Sequence, residues 1–174
     1  MDITYAGDAS FLLRGEGTVA INPTAKSDAA IRLFSSRQRG KKLIINGPGE
    51  YEIGDVLITT VPAGNGKLAH AVDLDGIRVL HLPDAGTSFD DQTLRDIGRV
   101  DILILHADDV AAVGRAINDL VPRTVVPYGA YASQVCVLTG VKDAESLTRF
   151  TWNGMTSPPK AVLLRVPGSR RRAA

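Results

Sequence analysis

Asp75-Gly76 constrains this chain more tightly than any other pair of residues in it. The pair separates β-rich runs at 69–74 and 77–82, and a type I′ turn needs φ > 0 at both of its central positions. An antiparallel hairpin is therefore predicted. Similar punctuation governs the start of the chain. Short runs at 3–6, 10–13 and 18–21 are separated by Gly7-Asp8-Ala9 and Gly15-Glu16-Gly17, the pattern of a β-meander. Residues 24–39 then read as helical on a weak stripe of Ala29, Ala30, Leu33 and Phe34. Further strands are expected at 43–45 and 56–61.

Helices and strands alternate in the second half. Asp90 is placed to cap a helix running through Leu94 to Ile97, and residues 100–105 have the continuous apolar character of a buried strand. Asp108 or Asp109 caps the next helix, whose apolar positions are Val110, Val113, Ile117, Leu120 and Val121. Pro122 ends it. A strand at 124–127, a helix at 143–150 and a closing strand at 161–166 follow. A meander followed by alternating units points to a two-sheet α/β sandwich with helices outside. The expected organisation is one domain over 1–168 and a basic tail over 169–174, with Arg170, Arg171 and Arg172.

Composition narrows the function classes. A chain of 174 residues with 44% hydrophobic and 22% charged residues is an ordinary globular one. At this size about 69% of the extended chain's surface is buried on folding, enough for a core without metal or disulfide. Twenty Lys and Arg against nineteen Asp and Glu leave +1, so bulk attraction to nucleic acid or membrane is not expected. Arg37, Arg39, Lys41 and Lys42 read as solvated surface. The single cysteine, Cys136, excludes an intrachain disulfide and a multi-cysteine zinc site, and its apolar context marks it as buried packing. The first residues lack the basic start and apolar run of a signal peptide, and the uncharged stretch 124–141 is broken by Pro127, Gly129, Ser133, Gln134, Thr139 and Gly140. A bacterial cytoplasm is the expected compartment.

Four local strings, taken in order, resemble one known family. They are the opening run from Ile3 to Leu12 with its Gly7-Asp8-Ala9-Ser10 turn, Ala20-Ile21-Asn22-Pro23, Gly47-Pro48-Gly49-Glu50-Tyr51-Glu52 and His81-Leu82-Pro83-Asp84. Val125-Val126-Pro127-Tyr128 adds a fifth, looser match. Together they resemble the small zinc-dependent hydrolase branch of the metallo-β-lactamase fold. The resemblance implies a four-layer αββα sandwich of two mixed sheets with outer helices. It also implies hydrolysis by metal-bound water, with Asp84 at the position of a metal-bridging carboxylate. The family's His-x-His-x-Asp-His loop is missing: residues 24–46 contain no histidine, Asp8 stands where relatives carry His, and the late His is replaced within Tyr128-Gly129-Ala130. A catalytic zinc needs about three protein ligands and an open water position.

The candidate residues follow from that fold. Asp8, Asp84, His106, Asp108 and Tyr128 are expected around a vestigial cleft, with no catalytic residue, metal or cofactor assigned. Phe11, Tyr51 and Tyr128 are the side chains that could fill it. The resemblance makes His81 a core residue or one supporting the ligand positions from behind, not a ligand, and His70 is read as a satisfied or exposed structural histidine. The leading expectation is a metal-free, non-catalytic protein with a binding or assembly role, for which a homo-oligomer closing the exposed cleft edge is possible. The alternative is a hydrolase using zinc or manganese at a rearranged site of Asp8, Asp84, His106 and Asp108. A nucleic-acid interaction module using the Arg-rich segments is third. Asp84 is expected to be an exposed carboxylate with little to hold.

Overall fold

The computed structural model describes residues 1–24, 27–36, 44–153 and 157–168. The strands are β1 (Asp2–Gly7), β2 (Ser10–Arg14), β3 (Thr18–Ile21), β4 (Ile31–Leu33), β5 (Ile44–Ile45), β6 (Gly49–Ile53), β7 (Val56–Pro62), β8 (Leu68–Leu74) and β9 (Ile77–Leu82). Then come α1 (Asp91–Ile97), β10 (Ile102–His106), α2 (Val110–Leu120), β11 (Thr124–Tyr128) and α3 (Ala132–Leu138). Three short pieces follow, β12 (Ser146–Leu147), β13 (Phe150–Thr151) and β14 (Leu163–Leu164). The first sheet has the order β13-β1-β2-β3-β4-β5 and the second β11-β10-β9-β8-β7-β6. Both are mixed. β1 to β3 and β6 to β9 are antiparallel, whereas β3 to β5 and β9 to β11 run parallel.

Side-chain alternation assigns two cores. Ile3, Leu13, Ile21 and Leu33 of the first sheet meet Ile58, Val72, Val79, Ile104 and Val126 of the second. The opposite face of the second sheet, with Ala71, Leu80, Leu103 and Leu105, is covered by Ile97 of α1, Val113 of α2 and Val135 of α3. Among the described residues all three helices lie on this one outer side. The parallel β3–β4 connection carries no helix among its described residues.

Most local expectations hold for physical reasons. Asp75 and Gly76 have φ of 55° and 72°, as a type I′ turn requires. Asp90 accepts from the Thr93 amide at 2.7 Å, and Asp109, not Asp108, caps α2 through the Ala111 and Ala112 amides. Two predicted helices are corrected. Among the described residues of the span 24–39 the buried side chains are Ala29, Ile31, Leu33 and Ser35, an alternation of period two, and Ile31–Leu33 pairs in parallel with β3. The span 143–150 lacks an apolar stripe: Leu147 is exposed, Ser146–Leu147 pairs with β14, and Phe150 instead joins β1. The basic residues Arg37, Arg39, Lys41 and Lys42 and the tail 169–174 lie outside the described residues.

Val121 ends α2 in the left-handed region, φ 45° and ψ 53°, with its side chain 75% exposed. A β-branched residue there costs about 1–2 kcal/mol that glycine avoids. Val121→Gly should therefore raise stability by about 0.5–1 kcal/mol in urea denaturation once the flexibility of the unfolded chain is deducted. A loss of stability would contradict this.

Candidate functional site

The ends of β1, β3, β4, β9, β10 and β11 meet at one edge of the sandwich, around a cleft of about 830 Å³. Its walls are the turn Gly7-Asp8-Ala9, Asn22 to Thr24, Phe34 to Ser36, Lys67, Pro83, His106 and Tyr128-Gly129. Asn22 organises the side formed by the first sheet. Held at φ 45°, it donates through Nδ2 to the Ala9 carbonyl (3.2 Å) and to Ser35 Oγ (3.0 Å), and its Oδ1 accepts from the Ser35 amide (2.8 Å). The Ser35 carbonyl accepts from the Leu68 amide of β8 (2.9 Å), which ties the two sheets together at this edge.

The floor is a packed cluster of rings. Tyr5 and Phe11 have centroids 4.9 Å apart, Phe11 meets Tyr128 edge-on at 5.2 Å, and His81 stacks on Tyr128 at 5.8 Å. His81 is fully buried, with Nδ1 3.4 Å from Ser35 Oγ and Nε2 3.2 Å from Tyr128 Oη. Burial first, then the neighbouring His70 and His106, pushes its pKa down to about 3. His70 pairs in register with His81, and its Nδ1 lies 3.0 Å from Thr60 Oγ1. Its Nε2 is buried without a hydrogen bond. Burial lowers this pKa to about 4, an effect partly offset by the Phe34 backbone. Burial, with help from Tyr5 and Asp108, raises the Tyr128 hydroxyl well above its ordinary value.

The predicted site residues divide between rim, floor and elsewhere. Asp8 and His106 line the cleft and Tyr128 forms its floor. Asp108 sits beside His106, with 3.5 Å between Oδ2 and Nδ1. Gly129 makes room for that imidazole: a Cβ there would lie 2.8 Å from His106 Cδ2. Asp84 turns away. Its Oδ2 accepts from Asn65 Nδ2 (2.6 Å) and its Oδ1 from the Gly86 amide (3.0 Å), so it braces the β7–β8 loop. Half-buried and doubly bonded, it is not the exposed carboxylate expected. Tyr51 lies outside the cleft and donates to the Gly47 carbonyl, leaving Phe11, Tyr128 and Tyr5 to fill the floor. His70 is buried and only half satisfied. Cys136 is buried with its thiol pKa raised by that burial, in keeping with a packing role. Ser35 lies in a span with a helical reading, and no local signal in the sequence marks Lys67.

Among the described residues no three His, Cys, Asp or Glu side chains converge to hold a metal ion. The remaining residues contain none of these four types. Asp84→Ala should cost about 1–2 kcal/mol, the worth of two accepted hydrogen bonds at a half-buried carboxylate. A loss above about 3 kcal/mol in urea denaturation would instead place Asp84 in a metal or charge network.

Comparison with known proteins bears on the fold. A protein of Thermotoga maritima, a candidate Zn-dependent hydrolase of the metallo-β-lactamase superfamily, superposes with a TM-score of 0.78 at 21% identity, covering 95% of this chain and all of that one. An isothiocyanate hydrolase from Delia radicum gut bacteria gives 0.59 at 10% identity, covering 94% and 95% of the two chains. The metallo-β-lactamase fold protein YhfI of Bacillus subtilis gives 0.57 at 10% identity, covering 95% and 96%. No curated protein matches the sequence. At these identities the solved structures establish a shared fold and nothing finer. Residues 2–128 match the family described as the beta-lactamase superfamily domain, and the chain belongs to that family.

Proposed function

We propose that this chain is a non-catalytic member of its superfamily, whose cleft binds a small molecule without zinc and without hydrolysing it. One observation carries the reading: no three potential ligands converge among the described residues, and the rest of the chain supplies no further His, Cys, Asp or Glu. Hydrolysis by a metal-bound water needs about three such ligands to hold the ion that brings the water's pKa from about 16 to about 7. The cleft itself is of ligand size. Its volume of about 830 Å³ falls within the range of about 300–1,000 Å³ usual for small-molecule sites. An aromatic floor under a rim with Asp8, Lys67 and His106 gives apolar area and a few orienting polar groups.

Metal analysis of protein purified without chelator, paired with assays on ester, lactone and phosphodiester substrates, tests the proposal. Zinc and manganese well below one equivalent and no turnover are expected. About one tightly bound metal per chain, with a hydrolase activity that chelation abolishes, would overturn the proposal. It would favour the competing reading, a rearranged metal site around Asp84.

A further inference from the structure

His70 and His81 sit side by side on the inner face of the second sheet, with no exposed surface. Their polar partners are the neutral hydroxyls of Thr60, Ser35 and Tyr128 and, for His70, the backbone of Phe34. His70 Nε2 has none. No carboxylate reaches either ring. From the first sheet they meet Phe11 and Ser35. From β10 and β11 the titratable neighbours are His106 and Tyr128, and beyond Tyr128 lies Tyr5. Asp8 and Asp108 are exposed on the rim, Asp84 is occupied by Asn65 and Gly86, and Lys67 adds a further positive charge. An imidazolium in this seam would therefore have no opposite charge to meet.

The two ends of the sandwich differ in what holds them. At the cleft end, Ser35 joins the sheets through its contacts to Asn22, Leu68 and His81. At the opposite end Asp75 joins the sheets by accepting from the Glu16 amide (2.9 Å) and lying 3.4 Å from the Met1 ammonium, with no histidine involved, and the core between is hydrocarbon and ring, including Leu74, Val79, Ile102, Phe150 and Trp152. We propose that the imidazole pair is an acid-sensitive latch: proton uptake by His70 or His81 parts Ser35 from His81 and opens the cleft end while the rest of the sandwich stays folded. The direction follows from linkage. Both rings are held far below the ordinary value of about 6.5 when closed, at about 4 and about 3, and recover it when water reaches them. Closure is thus complete above about pH 6.5. It weakens as pH falls toward about 4, by up to about tenfold per pH unit for each ring.

Amide hydrogen exchange of the full chain at about pH 7.5 and about pH 5, corrected for intrinsic rates, tests the latch. The reporters are the amides of Ser35, Leu68 and Ala107, which donate to Asn22 Oδ1, the Ser35 carbonyl and the Tyr128 carbonyl. Their exchange should accelerate about 30-fold or more at the lower pH, while fluorescence of Trp152, the sole tryptophan, stays constant. His70→Leu should make that acceleration less steep by removing one proton site. If that variant does not fold, the wild-type comparison alone decides. Protection that does not change with pH, or that is lost together with Trp152 emission, would overturn the proposal.

Discussion

The contact between the two apolar sheet faces is the interaction on which everything else in this structure depends. Leu13, Ile21 and Leu33 on one side and Ile58, Val72 and Val79 on the other are buried nearly completely. Each such side chain stabilises the fold by about 1.5–3 kcal/mol. Half a dozen of them match the roughly 10–16 kcal/mol that a structural zinc contributes to a small domain. The sandwich is much larger than that set, so burial alone supplies stability on that scale.

The cleft end of the sandwich is a compromise. A purely apolar edge would have closed the cleft, and a fully polar one would have parted the sheets. Instead, Asn22, Ser35, His81 and Tyr128 run from one sheet to the other as a line of short polar contacts, with Phe11 and Tyr5 packed around them. The line keeps its groups neutral, since burial drives His81 down and Tyr128 up. Above it the space between Asp8, Lys67 and His106 stays open.

Much of this was legible in the sequence where chemistry is local. Turns that need positive φ and helices that need a capping carboxylate leave marks, so Asp75-Gly76, Asp90 and Asp109 stand out from their neighbours alone. β4 left no such mark. Ala29, Ile31, Leu33 and Ser35 alternate, but in so short a span Ala29, Ala30, Leu33 and Phe34 also fit a helical stripe. Parallel pairing with β3 decided between the two readings. Ser35 was invisible for a related reason: its partner His81 lies 46 residues away in sequence. Asp84 shows the converse. Its local string pointed toward the cleft, yet Asn65, at φ 47° in the neighbouring loop, captures its carboxylate.

The central claim is that this member of the superfamily folds and keeps its cleft without a metal ion. Thermal unfolding in excess EDTA and in excess zinc tests it most directly, because an ion bound only by the folded state must raise the transition temperature. Coincident transitions in the two solutions are predicted. A transition higher in zinc by about 4 °C or more would mean at least about 1 kcal/mol of specific binding, and would contradict the account.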